Sequence, residues 1–75
     1  MTLTIEVDAR GLRCPLPVLR ARKALEELGP GGLLRLWADD AVAVIDVPLF
    51  CRDAGHEFLA MEEHEGAQLY LIRRG

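Results

Sequence analysis

The sequence predicts an α/β (α+β) fold, a two-layer sandwich in which two helices cover one face of a four-stranded mixed sheet, with elements in the order βαβαββ. Four short segments show the alternation or β-branched content of strands, and two longer segments show the apolar spacing of helices. A strand–helix–strand start implies parallel pairing through a right-handed crossover, whereas the final two strands form an antiparallel hairpin. The sheet face without helices should be partly wet.

The four strands are predicted at residues 3–8, 33–38, 56–64 and 68–73. The first is LTIEVD, where apolar and polar residues alternate. The turn after it contains Gly11, at which a positive φ costs little. Glu65 and Gly66 form the short turn between the last two strands. These turn residues mark the end of the first strand and the boundary between the last two strands.

The first helix is predicted over residues 14–28, with Cys14 as its N-cap. Pro15 suits the first helical position because its missing N–H would have had no partner there. Pro17 still lies in the first turn, so its missing donor costs little. Gly29 is expected to end the helix in the left-handed conformation.

The second helix is predicted within residues 41–54, an apolar segment that a glycine follows. Asp39 and Asp40 precede it and are good capping residues. Pro48 lies inside the segment and leaves two alternatives. Either the helix bends there, or the preceding residues form a loose turn and the helix begins near Val47; we favour the second.

The chain has 75 residues, 51% of them hydrophobic, and we expect a single domain over residues 1–75. Two cysteines are too few for a disulfide framework. The sequence contains no 18-residue apolar run, and its first residues alternate like a strand rather than forming a signal peptide. We therefore expect a cytoplasmic protein with reduced thiols and no membrane association.

The net charge of −3 is unevenly distributed along the chain. Residues 1–37 carry six Lys and Arg against four acids, and residues 38–75 carry three against eight. This balance argues against nonspecific nucleic-acid binding, which needs a broad basic surface. The basic residues of the first half lie near Cys14 in the sequence, which points to a local role for positive charge.

Helical spacing divides the first helix into a buried stripe and an exposed face. The residues on the buried stripe are Val18, Ala21, Ala24, Leu25 and Leu28. Leu16 and Leu19 fall on the opposite face beside Arg20, where they would form a partner-docking patch. The alternative is that both leucines pack under a neighbouring loop.

Cys14 is the candidate reactive residue, because a cap position among charges and ahead of two prolines favours it over an ordinary buried cysteine. The helix dipole alone is too weak to bring its pKa to neutrality, but nearby backbone donors, Arg10 and Arg13 would add to it. Lys23 is a further candidate for stabilising the anion. We therefore predict a moderately activated thiol rather than an extreme thiolate.

The other candidate groups have ordinary structural interpretations. Cys51 lies on an apolar helix face and is expected in the core. His56 should make a structural hydrogen bond, and His64 should be a solvated hairpin residue. Without a CxxC pair, a phosphate-binding loop or close metal-ligand spacing, we expect no cofactor and no metal site.

The sequence resembles the TusA/SirA sulfur-carrier family and contains its CPxP motif. The resemblance covers nearly the whole chain. The matching positions are Asp8, Gly11, Leu12, Cys14, Pro15, Pro17 and Lys23. The resemblance implies a two-layer fold like the C-terminal domain of translation initiation factor three. It also implies a sulfurtransferase in which Cys14 accepts a persulfide sulfur from a donor, such as a cysteine desulfurase or a rhodanese, and passes it to another carrier. In the family such relays serve tRNA thiolation, cofactor synthesis or sulfur oxidation.

Under this hypothesis Arg10, Gly11, Arg13, Pro15, Pro17 and Lys23 support Cys14, and we expect the carrier to act as a monomer. Two alternatives remain. One is a noncatalytic regulatory or interaction module that uses the leucine patch. The other is a redox sensor that forms a disulfide between Cys14 and Cys51, which requires their Cα atoms to lie within about 7 Å.

Overall fold

A computed structural model describes residues 3–75 and shows the predicted α+β architecture. The elements in chain order are β1 (Thr4–Asp8), α1 (Leu16–Glu27), β2 (Leu33–Ala38), α2 (Ala43–Ala54), β3 (Glu57–His64) and β4 (Ala67–Arg73). The strands form one sheet in the order β1-β2-β4-β3. Neither helix in this part of the chain has the length and apolar character needed to cross a bilayer.

The sheet is mixed, as predicted. Strands β1 and β2 are parallel, with Asp8 opposite Trp37 at their carboxyl ends. Strand β4 pairs antiparallel with both β2 and β3. Glu65 (φ 51°) and Gly66 (φ 85°) connect β3 to β4, and two consecutive positive φ values are characteristic of a type I′ hairpin turn.

The core lies between the helices and one face of the sheet. In β2 the buried residues alternate with half-buried ones, as expected for a strand with one covered face. The fully buried large side chains include Leu25, Leu34, Leu36, Val47, Tyr70 and Ile72. Each buried Leu, Ile or Val side chain contributes about 1.5–3 kcal/mol relative to exposure, so these residues account for much of the stability.

The start of α1 differs from the prediction. Pro15 is the N-cap, and Cys14 lies one residue before it. The N–H of Leu16 donates to the carbonyl oxygen of Arg13 at 2.8 Å, so a turn over residues 13–16 precedes the helix and holds the cysteine. The prediction of Cys14 as N-cap is therefore wrong.

The end of α1 also differs. Leu28 is the C-cap with an extended backbone (φ −87°, ψ 142°), and Gly29 is not left-handed. The left-handed position is Gly31 (φ 85°), whose N–H donates to the carbonyl oxygen of Arg74 at 2.9 Å. The glycine-rich turn is thus shaped by its contact with the end of the chain rather than by a helix cap.

Helix α2 begins at Ala43, with Pro48 inside it, so the favoured start near Val47 is wrong. Ala43, Val47, Phe50 and Cys51 form a buried stripe at helical spacing. Burying the whole stripe offsets the single backbone hydrogen bond that Pro48 cannot donate. The N-cap is Val42, which makes no side-chain capping bond.

Candidate functional site

The loop that carries Cys14 is held to the loop after β2 by two aspartates. Gly11 (φ 82°) donates its N–H to Asp39 Oδ1 at 2.9 Å. Cys14 donates its N–H to Asp40 Oδ2 at 2.7 Å. Because β1 and β2 are parallel, their carboxyl ends lie at the same edge of the sheet, and the two following loops meet there. The acids that the sequence assigned to capping therefore anchor the cysteine loop.

Asp40 is the more buried of the two, with only 8% of its surface exposed. Its other carboxylate oxygen, Oδ1, accepts the N–H of Val42 at 3.3 Å. This side chain therefore links the cysteine loop to the residue that precedes α2. It also brings a negative charge close to the thiol.

The thiol of Cys14 is exposed, and its Sγ donates a hydrogen bond to Asp46 Oδ2 at 2.9 Å. Asp46 lies in the first turn of α2. This hydrogen bond raises the pKa of Cys14 above its ordinary value, and desolvation and the negative charges of Asp46 and Asp40 add to the effect. The prediction of a moderately activated thiol is therefore wrong for the isolated chain.

Arg10, which the sequence predicted to support the Cys14 thiolate, is bound to Asp8 instead. Its Nε donates to Asp8 Oδ1 and its Nη2 to Asp8 Oδ2, both at 2.9 Å. Its guanidinium also lies 5.5 Å from the centre of the Trp37 ring. The paired guanidinium and the Arg10 N–H lower the pKa of Asp8 to about 2. Arg10 is thus engaged in an ion pair at the end of β1.

Lys23 and Arg20 line an open groove along β1 together with Ile5 and Val7. Lys23 is seven residues into α1, about 10 Å along the axis from the helix start. Arg13 is exposed and directly precedes Cys14. Of the three cations predicted to support the thiol, Arg13 alone adjoins it in the chain.

The thiol lies at a narrow cleft. The residues lining it are Cys14, Pro15, Pro17, Val18, Asp40, Ala43 and Asp46. Its empty space, including solvent at the mouth, is about 150 Å³, below the roughly 300–1,000 Å³ of typical small-molecule pockets. The buried Pro17 forms part of the floor, and the exposed Pro15 belongs to the rim. Such a site suits contact with another protein's reactive group better than enclosure of a metabolite.

Exposed apolar side chains are found on both helices. Leu16 and Leu19 of α1 are 45% and 47% exposed, so the alternative in which a loop covers them is wrong. Helix α2 and its N-cap add a second set that the sequence prediction missed: Val42, Val44, Ile45 and Leu49. The apolar run VAVI at residues 42–45 was the available signal. Because we placed this run in a loose turn, we did not predict that a helix would expose its side chains.

Cys51 is 1% exposed, which confirms the core assignment, and burial raises its pKa to about 11. An internal disulfide would require this sulfur to leave the core, so the geometry does not favour the redox-sensor alternative. His56 Nδ1 accepts the N–H of Gly75 at 3.1 Å, confirming a structural hydrogen bond. His64 is exposed and contacts Glu62 at 3.1 Å.

The sequence is similar to those of known sulfur carrier proteins. The family model for sulfurtransferase TusA matches residues 5–74. A sulfur carrier protein TusA from Pseudomonas paraeruginosa is 43% identical over 68 residues, which cover 91% of this chain and 86% of the relative. A sulfur carrier protein TusA from Pseudomonas syringae pv. syringae is 42% identical over 74 residues, covering 99% and 88%.

A solved structure resembles the whole fold. The crystal structure of a SirA-like protein from Desulfitobacterium hafniense matches with a TM-score of 0.78 and 33% sequence identity. The match covers 97% of this chain and 99% of that protein. Sequence and structure therefore point to the same group of proteins.

Proposed function

Because the chain belongs to the TusA family of sulfur carrier proteins, we propose that Cys14 is the residue on which it carries sulfur. The observation that carries this proposal is the contrast between the two thiols. Cys14 is exposed at the mouth of a cleft, whereas Cys51 is sealed in the core. A sulfur atom can be exchanged between proteins only where the attacking and attacked sulfur atoms can meet.

The transfer is a sulfur exchange that needs no added oxidant. The Cys14 thiolate attacks the outer sulfur of a donor persulfide, a new S–S bond forms, and the donor's S–S bond breaks. The donor cysteine leaves as a thiolate and takes up the proton that Cys14 lost. Cys14 then holds a persulfide, and an acceptor thiolate removes its outer sulfur by the same step.

The donor in this proposal is a protein such as a cysteine desulfurase or a rhodanese, and the acceptor is another sulfur carrier in the cytoplasm. The relay serves tRNA thiolation, cofactor synthesis or sulfur oxidation, with the chain acting as a monomer. Leu16, Leu19 and Arg20 form the docking face for these partners, because α1 presents them on the surface just after the cysteine loop. Gly11, Arg13, Pro15 and Pro17 shape the loop itself.

The direct test is loading by a cysteine desulfurase with cysteine, followed by intact and peptide mass spectrometry. We expect a gain of about 32 Da on Cys14, one sulfur atom from the exchange reaction. Cys14→Ser should abolish the gain, and Cys51→Ser, the matched control, should retain it. An adduct on Cys51 alone, or none on the wild type, would contradict the proposal.

The docking face has its own test. Leu16→Ser and Leu19→Ser should slow loading by the desulfurase while leaving loading by glutathione persulfide unchanged. Leu59→Ser on β3 is the control, since Leu59 is similarly exposed on another element. Equal effects of all three changes would exclude a specific face. Desulfurase binding that survives Cys14→Ala without any sulfur loading of the wild type would favour the noncatalytic module instead.

A further inference from the structure

Asp46 makes a contact with the thiol that sulfur carriage by itself does not require. Its Oδ2 lies 2.9 Å from Cys14 Sγ, and the two residues are 32 positions apart in the chain. Asp40 Oδ2 accepts the Cys14 N–H at 2.7 Å. Cys14 is thus held by two acids, Asp46 through its S–H and Asp40 through its backbone N–H.

We propose that Asp46 is a positioning residue that keeps the unloaded Cys14 of the free carrier as a neutral, hydrogen-bonded thiol. The proposal rests on the assignment of Cys14 as the sulfur-carrying residue. It adds a function for the acid, which is to hold the thiol unreactive until a partner changes the environment of the carboxylate. Asp46 is only half-buried, so a partner can reach it.

The physical argument is electrostatic. A neutral S–H can donate to a carboxylate, but a thiolate at the same place would face an anion with no hydrogen atom between them. The charged groups facing the sulfur are Asp46 from α2 and Asp40 from the loop after β2. Arg13 is exposed beside Cys14 in the chain, and Arg10 is paired with Asp8. The acids dominate, which agrees with the raised pKa of Cys14.

The chemical consequence follows from the attacking species. Sulfur exchange proceeds through the thiolate, so a carboxylate that favours the neutral thiol slows attack by Cys14. A cationic group that a donor protein places beside Asp46 would reverse this effect. Without such a partner, Cys14 of the free carrier would resist adventitious alkylation and sulfur exchange more than the exposure of its thiol suggests.

The test is the pH profile of Cys14 alkylation by iodoacetamide, followed by peptide mass spectrometry. It compares wild type, Asp46→Asn, Asp46→Ala and the control Asp53→Asn. Asp53 lies on the same helix, is exposed and pairs with Arg52 at 3.6 Å. At neutral pH both Asp46 variants should react at least about threefold faster than wild type, because the rate follows the thiolate fraction. Their profiles should move to lower pH, and the profile of Asp53→Asn should match wild type.

A second measurement leaves Asp46 unchanged. The thiolate absorbance of wild-type Cys14, in a Cys51→Ala background, should develop at higher pH in the native protein than in the urea-unfolded chain. An equal or lower native midpoint would overturn the proposal, as would Asp46 variants that alkylate at the wild-type rate or more slowly. Alkylation involves no sulfur transfer, so these results are independent of whether a desulfurase loads Cys14. Failure of loading would reject the proposed function and leave the effect of Asp46 on the thiol measurable.

Discussion

Replacement of Asp40 tests how the cysteine loop is held in place. Asp40→Ala removes the acceptor for the Cys14 N–H at 2.7 Å and for the Val42 N–H at 3.3 Å. Asp39→Ala is the matched change, because Asp39 is an exposed neighbour that accepts one N–H from Gly11 at 2.9 Å. The comparison separates a buried anchor from an exposed one.

The burial of Asp40 sets the magnitude. A hydrogen bond to a charged group contributes about 1.5–3 kcal/mol, and water replaces it poorly where the acceptor is buried. The Val42 contact is long and adds less. We therefore expect Asp40→Ala to reduce the free energy of unfolding by about 2–3 kcal/mol. Asp39→Ala should reduce it by about 1 kcal/mol or less, since water can solvate the exposed Gly11 N–H.

These losses are large for this chain. A protein of 75 residues has a free energy of unfolding of about 4–11 kcal/mol, so Asp40→Ala removes a substantial part. The melting temperature should fall by roughly 10–20 °C. Urea unfolding at neutral pH under reducing conditions gives the energies, and hydrogen exchange at the Cys14 amide reports the local release. Equal losses for the two variants, or an unchanged Cys14 exchange rate in Asp40→Ala, would refute the reasoning.

Three further predictions concern the core and α2. Tyr70 is fully buried and its hydroxyl has no hydrogen-bond partner within residues 3–75, so Tyr70→Phe should stabilise the protein by about 1 kcal/mol; a lower melting temperature would contradict this. Pro48→Ala restores a donor inside α2 and should raise the free energy of unfolding by about 1 kcal/mol in urea titrations; destabilisation would show that the proline ring's packing matters more. Burial raises the pKa of Cys51 from 9.0 to about 11, so the neutral thiol's contribution to stability is complete below pH 9 and is lost as the pH rises through 11. Urea titrations across that range should show a fall in the free energy of unfolding, and Cys51→Ala should reduce this fall.

The sequence predicted the elements well where the pattern was local. The strand at residues 33–38 and the turn at Glu65 and Gly66 depend on near neighbours, and the structure confirms both. The start of α2 was wrong because Pro48 is a strong local signal against helix. The structure shows that the buried stripe containing Val47 outweighs it, and that stripe has value only when packed against the sheet.

The site was less predictable, because its decisive contacts are tertiary. Cys14 is exposed as predicted, although its predicted position as N-cap is wrong. The leucines on α1 are exposed, which is one of the two alternatives that the sequence left open. The hydrogen bond to Asp46 joins residues 32 positions apart, and no local pattern marks it. Asp40 looked like a capping residue, since Asp before a helix usually is one. Only the parallel pairing of the first two strands brings these acids to the thiol.

The distribution of charge supports the proposed role of Asp46, in which the carrier's thiol undergoes controlled exchange rather than having maximum reactivity. The basic first half of the chain suggested cations around the sulfur, yet Arg10 is paired with Asp8 and Lys23 lies along β1. Acids from the second half contact Cys14 instead, Asp46 through the sulfur and Asp40 through the backbone N–H. A strongly acidic thiol would be a weak nucleophile, and it would also be a good leaving group when its persulfide is attacked. A thiol held neutral by carboxylates avoids unassisted exchange, and a basic partner surface would both dock against these acids and favour the thiolate.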